Sequence, residues 1–320
     1  MSRRALITLV ALTTSGCFLD RTGTRPGDLD ASSRPDASAD LDASRADAGP
    51  RDAGEAADSG RADAGDGVDG GEDAGPGDAG LVDAGPGSTV PVTAGLIVHF
   101  DARNVTGLGG PPAPEMPSTW VDLTGGNDAR CEQVTYDPDG LRPGDASMFT
   151  DGNDGSRCRF DIPDLDDLTI FLVFRNSDTR DDGGNWFQNP VLVGGDASGA
   201  REDAALYWAD GRPGFARAGT GYQFRYSTSY ADDVPHVLAF VREGESGIVA
   251  ARVDRDSPEL GMADPGPISD PDWWWLAAHD SSASNGRLAN HYAELLIYDD
   301  NLAGPDIDAV REYLFARWGI

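Results

Sequence analysis

Leu168-Thr169-Ile170-Phe171-Leu172-Val173-Phe174-Arg175 (LTIFLVFR) is the stretch that decides the fold. Apolar side chains occupy both of its alternating faces, so as a strand it is covered on two sides and belongs at the centre of a sheet inside a sandwich. Further strands follow around it: Gly95–Phe100 before, then Pro190–Gly194, Ala204–Trp208, His236–Arg242, Ile248–Val253 and Tyr292–Tyr298. HVLAFVR and IVAARVD flank Glu243-Gly244-Glu245-Ser246-Gly247, which reads as a hairpin turn. Many short strands separated by Gly, Pro, Asp and Asn clusters indicate an all-β antiparallel sandwich. One helix closes the chain. Pro305 suits a first helical position, Asp306 and Asp308 favour the positive end of the helix, and Ile307, Val310, Leu314 and Trp318 share one face.

Outward from this core, a set of segments carries a family resemblance. They are Gly95-Leu96-Ile97-Val98-His99-Phe100-Asp101-Ala102, Trp120–Ala129 (WVDLTGGNDA), Phe149-Thr150-Asp151-Gly152, Leu168–Phe171, Ala293–Asp299 (AELLIYD) and Tyr313–Ile320 (YLFARWGI). In their order and spacing the chain resembles the concanavalin A-like lectin/glucanase superfamily, in particular laminin G-like jelly-roll domains of bacterial surface proteins. The resemblance spans nearly all of residues 91–320. It implies a two-sheet jelly roll with a short C-terminal helix, and a fold that hosts lectins, adhesion modules and glycosidases alike.

The glucanases of that superfamily place two carboxylates on one strand as Glu-x-Asp-x-Glu, and this pattern is absent here. Glu243-x-Glu245 falls in the expected turn, and Glu294 stands alone in an apolar strand, where a structural carboxylate bonded to backbone or Arg is expected. There is no Gly-x-Ser-x-Gly elbow, phosphate loop or zinc spacing, so the chain reads as a non-enzyme.

Binding residues are sought among aromatics and loop carboxylates. In a strand, Trp273 and Trp275 point one way and Trp274 the other, so one of these faces can present an indole to a sugar. Trp186, in the polar loop 176–189, is a second candidate platform. Tyr222, Tyr226 and Tyr230 fit an edge-strand face. Laminin G-like domains often hold one calcium at the rim, which makes Asp151, Asn153 and Asp154 a candidate set of oxygen ligands; Asp178, Asp181 and Asp182 form a similar acidic turn.

Cys131 and Cys158 form an even pair in a chain that reads as exported, and a disulfide between them is expected, with two buried thiols as the alternative. The third cysteine, Cys17, ends a leader. Arg3 and Arg4 precede the apolar stretch Ala5–Leu12, and Thr14-Ser15-Gly16 are small residues directly before Cys17. Residues 1–16 thus resemble a bacterial lipoprotein signal peptide. The resemblance implies cleavage before Cys17, acylation of that cysteine and anchoring in the outer membrane or at the cell surface. Thr14 stands where the family prefers Leu, so ordinary cleavage with a free cysteine is the other reading, and Ser2–Leu6 also resembles a twin-arginine export start.

Residues 17–90 form an acidic linker. Asp-Ala-Gly occurs six times and Asp-Ala-Ser three times, with 17 acidic residues against six arginines over 18–90 and almost no large apolar side chain. Such a segment buries too little to offset its ordering entropy and is expected to be a solvated spacer. The whole chain has a formal net charge of −30, which excludes nucleic acid and anionic lipid surfaces as partners. Two functions stand at this level. One is display of a carbohydrate-binding or adhesion module at the cell surface. The other is a structural or protein-interaction domain of the envelope with no small ligand.

Overall fold

A computed structural model of the chain describes residues 89–113, 115–153, 155–181, 186–195, 203–217, 223–269, 273–278 and 287–320. The leader, Cys17 and the linker to residue 88 lie outside the described residues, as do Asp154, Asp182, Tyr222 and His279.

Two eight-stranded antiparallel sheets face each other. With strands numbered in chain order, the first sheet runs β14 (Glu259–Met262), β13 (Ile248–Val253), β12 (Pro235–Arg242), β7 (Leu168–Arg175), β16 (Ala289–Tyr298), β5 (Asp145–Asp151) and β4 (Thr135–Arg142). β1 (Leu96–Asp101) pairs with the second half of β16 and β5 with the first half. The second sheet runs β11 (Gln223–Arg225), β10 (Arg212–Arg217), β9 (Ala204–Ala209), β8 (Val191–Gly195), β15 (Trp274–Leu276), β6 (Arg157–Phe160), β3 (Ala129–Glu132) and β2 (Thr119–Trp120).

LTIFLVFR is the interior strand β7, paired with β12 on one side and β16 on the other over nearly its whole length. Its two faces serve two cores. Leu168, Ile170, Leu172 and Phe174 point between the sheets, where they meet Trp120, Trp208, Trp274 and Phe240. Phe171 and Val173 point outward into a second apolar cluster built with the helix α1 (Gly304–Trp318). That is why the segment shows no alternation in sequence: both of its faces are buried. On α1, Val310, Leu314, Phe315 and Trp318 are buried against Val237, Ala239, Ala293, Leu296 and Tyr298, and Pro305 lies in the first turn as expected. Gly319 ends the helix in the left-handed region at φ 63°.

The hairpin β12–β13 forms through the turn 243–247. Gly247 is required there: its φ is +72°, and a Cβ would come within 2.2 Å of the Ala263 carbonyl oxygen. Arg242, fully buried at the end of β12, donates to the carbonyls of Asp166 and Gly266 and so ties this hairpin to the loops beneath it.

The Trp120–Ala129 segment gains its form from Asp122. This carboxylate is 1% exposed and accepts hydrogen bonds from the backbone N–H groups of His99 (2.8 Å), Thr124 (3.0 Å), Gly126 (3.1 Å) and Asn127 (2.9 Å). The Asp-Leu-Thr-Gly-Gly-Asn sequence is therefore a fold device, in which one buried anion satisfies a turn's orphan donors.

The cysteines are joined. Cys131 and Cys158 occupy directly opposed positions on β3 and β6 and form a disulfide.

Candidate functional site on the outer face of the second sheet

The sandwich has two outer faces, and alternation decides what each presents. On the first sheet α1 covers the outer face of β7, β12 and β16, and the seam is closed by a polar network around Glu294. This carboxylate is fully buried; it accepts from Trp318 Nε1 (2.6 Å) and Tyr313 Oη (3.0 Å) and pairs with His99 Nε2 (2.9 Å) and Arg317 Nε (3.3 Å). Arg317 also pairs with Asp101, whose carboxyl is pushed above the usual range by burial and by the neighbouring Glu294. Glu294 thus has the structural role expected of it, with its partners drawn chiefly from the helix.

The second sheet's outer face has a different make-up. In β6, Cys158 and Phe160 point into the core, so Arg157 and Arg159 point out. In β3, Ala129 and Cys131 point in, so Arg130 and Glu132 point out. Trp274 joins the core, and Trp273 and Trp275 lie on the outer side, as alternation requires. Register then sets these residues in one row: Arg130 opposes Arg159, Arg159 opposes Trp275, and Trp275 opposes Gly194. A Cβ on Gly194 would meet the Ala204 carbonyl oxygen at 2.4 Å, so a backbone with no side chain lies beside the indole.

The arginines lie over the indoles. The guanidinium of Arg159 is 5.0 Å and that of Arg130 5.8 Å from the centre of the Trp273 ring, and Arg157 is 5.1 Å from that of Trp275. Arg157 is also paired with Glu132 at 2.9 Å. Arg130 and Arg159 have no carboxylate partner among the described residues, and Arg159 Nε is buried without a hydrogen bond. Trp273 and Arg159 are partly exposed and Arg130 is exposed.

The other residues singled out from sequence fall elsewhere. Trp275 keeps 5% exposure and Trp186 6%, so neither offers an open ring face. The reason for Trp186 is local: Ala205, Ala209 and Ala216 leave a depression on β9 and β10 that its indole fills, together with Val191 and Tyr207. Tyr226, which directly follows the edge strand β11, and Tyr230 are buried as well, with their rings in the inter-sheet core.

Among the described residues of the two acidic turns, the oxygens are taken up by local partners and are not gathered about a point. Asp151 accepts from Asn153 through both carboxylate oxygens, Oδ1 from the backbone N–H (3.0 Å) and Oδ2 from the side-chain amide (2.7 Å). Burial raises the Asp151 pKa, but these bonds outweigh it and hold the carboxyl below the usual range. Asp178 accepts from Arg180, and Asp181 pairs with Arg225. Among the described residues there is no group of three or more His, Cys, Asp or Glu placed to hold a metal ion.

One pair invisible in the sequence is Ser147 with His291. Ser147 Oγ lies 2.9 Å from His291 Nδ1, and Arg175 Nη2 lies 3.0 Å from Nε2. Arg175 can only donate, so Nε2 accepts and the ring proton sits on Nδ1, directed at the serine. Burial, then Arg175, push the imidazole pKa down to about 4. In this arrangement His291 donates to the serine and has no lone pair with which to take its proton, the reverse of a serine–base pair.

No family model matches the chain, and no curated protein matches it. Among solved structures it is similar to a Trypanosoma rangeli sialidase in complex with sialic acid, at 13% identity and a TM-score of 0.49, over 70% of this chain and 34% of the sialidase. It is also similar to domain 4 of an extracellular arabinanase from Geobacillus stearothermophilus in complex with arabinotriose, at 14% identity and a TM-score of 0.47, over 68% of this chain and 98% of that domain. The receptor binding domain of botulinum neurotoxin D is a third, at 8% identity and a TM-score of 0.49, over 69% of this chain and 53% of that one. The chain spans about a third of the sialidase's length, and no ligand or activity follows from likenesses this weak.

Proposed function

We propose that this protein is a lipid-tethered, surface-displayed glycan-binding module of the concanavalin A-like, laminin G-like type, with the outer face of the second sheet as its ligand face. The observation that carries the reading is the Trp273 platform with its two arginines. On the first sheet the central strands β7, β12 and β16 are closed on their outer face by α1. On the second, an aromatic ring and charged donors lie together and partly in solvent. An indole beside fixed hydrogen-bond donors is the pairing that sugar recognition uses, since a sugar has both apolar C–H faces and hydroxyl rims. The leader and acidic linker of the sequence fit display at a distance from a membrane, on the order of 50 Å for a flexible chain of that length. In this reading the chain binds without catalysing, in keeping with the buried role of Glu294 and the reversed polarity of His291.

The test is a glycan array probed with the full chain and with its Trp273→Ala variant. Signal on a defined glycan group, lost in the variant at an unchanged melting temperature, supports the proposal. An empty array with and without calcium sinks it.

One observation favours a protein-interaction role instead. Ile248, Leu260 and Met262 are exposed on the outer face of the edge pair β13–β14, Leu260 at 75%. An apolar edge of that kind is a surface where other chains add. Under that reading, Leu260→Lys abolishes partner capture, and Trp273→Ala does not.

A further inference from the structure

Arg130 and Arg159 are directly opposed across β3 and β6. On one sheet face, directly opposed residues have Cβ atoms about 5 Å apart, and like charges there destabilise the pair. Elsewhere on the described surface, the exposed Arg225 is set against Asp181 and Arg255 against Glu312, and on this face the neighbouring Arg157 is paired with Glu132. Here two guanidinium groups share one indole and meet no acid among the described residues, in a chain whose formal net charge is −30.

A guanidinium lying over a ring uses its π face and leaves its N–H donors free in its own plane. Arg159 Nε is buried, so the terminal Nη groups of Arg159 and the exposed head of Arg130 are the donors open to a ligand. An anion bridging them would relieve the repulsion and accept charge-assisted hydrogen bonds from each, in the forked geometry that carboxylate and sulfate groups match.

We infer that the ligand of this face is an acidic saccharide, one bearing a carboxylate or a sulfate that is clamped between Arg130 and Arg159 beside Trp273. The inference rests on the glycan-binding reading and narrows it. It is compatible with the exclusion of nucleic acid. A duplex presents about one charge per 1.7 Å, against which the whole acidic surface acts. A single acid group needs only this pair, inside a screening length of about 8 Å.

The test is calorimetric titration of the full chain with three probes of similar size: an oligogalacturonate, its methyl ester, and a sulfated galactan oligosaccharide. The expected result is at least about tenfold tighter binding of one acidic probe than of the methyl ester, about 1.4 kcal/mol, weakening as salt is raised. Which acidic probe binds tells carboxylate from sulfate. Arg130→Gln and Arg159→Gln should each remove most of that difference at an unchanged melting temperature; Arg130, being exposed, is the variant whose folding is secure. Equal binding of ester and acid, or acid binding untouched by both variants, overturns the inference and leaves glycan binding standing. Inorganic sulfate bound as tightly as the sulfated oligosaccharide makes the pair a simple anion site and also overturns it. Failure of every saccharide removes the glycan-binding reading itself.

Discussion

The two outer faces of this sandwich are built from the same alternation and finished differently. On the first sheet the outward residues of β7, β12 and β16 under the helix are Phe, Val, Ala, Leu and Tyr, with Glu294 as the buried acid among them. On the second, the outward residues of β3 and β6 are arginine and glutamate, with Trp273 and Trp275 among them. An apolar stripe needs a cover, because about 25 cal/mol is gained for each Å² of apolar area removed from water. A charged and aromatic stripe is stable in water and can stay available. The seam at Glu294 shows how firmly the first face is closed: its four side-chain partners include three from α1.

That contrast sets the sizes of the expected effects. Glu294→Ala should be the largest. It leaves the Tyr313 and Trp318 donors buried without their acceptor and removes one of the two acids paired with Arg317, which keeps Asp101, at a cost of roughly 3–5 kcal/mol in chemical denaturation. A loss below about 1 kcal/mol would mean that α1 is not held by this network. Removing the disulfide, as Cys131→Ala with Cys158→Ala, should cost roughly 3–4 kcal/mol by the loop-closure argument. That cost acts through the unfolded chain and lowers protection generally, but the strands that carry Arg130 and Arg159 also lose their cross-link, so their hydrogen-exchange protection should fall further than that of the helix-covered face and ligand binding should weaken with it. An equal fall of protection under α1 would show that the two faces are not separable.

The next effect is a pH dependence. His236 lies between Asp254 (Nδ1, 2.7 Å) and Asp232 (Nε2, 2.9 Å). Burial pulls its pKa down, but the two carboxylates outweigh it and hold the pKa above the usual 6.5. A raised folded pKa gives stability that is complete below the unfolded value and is lost as pH rises through the folded one. The melting-temperature gap between the wild-type chain and His236→Gln should therefore be widest near about pH 5.5 and shrink on the alkaline side of the folded pKa. A gap that widens with pH contradicts the assignment. Smallest of all should be the stability effect of Arg130→Gln, within about 0.5 kcal/mol of zero or slightly favourable, because it removes one of two opposed like charges.

Much of the fold was legible in the sequence because burial wrote it there. β7 is apolar on both faces, the last helix shows Pro305 and a spaced apolar stripe, and the 243–247 turn separates two clear strands. The strands of the candidate site were not legible. Ala129–Glu132 and Arg157–Phe160 are four residues each and half charged, so they resemble loop. A signal was present, though. Arg-Cys-Glu and Arg-Cys-Arg each place a cysteine between charged neighbours, a period of two that points both cysteines inward and the arginines outward. Reading the cysteines as a strand pair would have placed Arg130 and Arg159 side by side. Trp186 misled for the opposite reason: its polar loop suggested exposure, and only the three alanines across β9 and β10 show the hollow it fills. The Ser147–His291 contact joins residues 144 apart in sequence and left no local trace.

The direct test of the contrast is one pair of variants measured in parallel, Trp273→Ala and Trp318→Ala, by thermal melting and by binding to the glycan that the wild-type chain retains. Trp318 is wholly buried under α1, so its loss should cost roughly 3–5 kcal/mol and leave binding by the remaining folded chain unchanged. Trp273→Ala should melt with the wild type and bind at least about tenfold more weakly, about 1.4 kcal/mol. The opposite pattern, a Trp273 variant that melts early and still binds, would make the second sheet's outer face another structural surface and contradict the account.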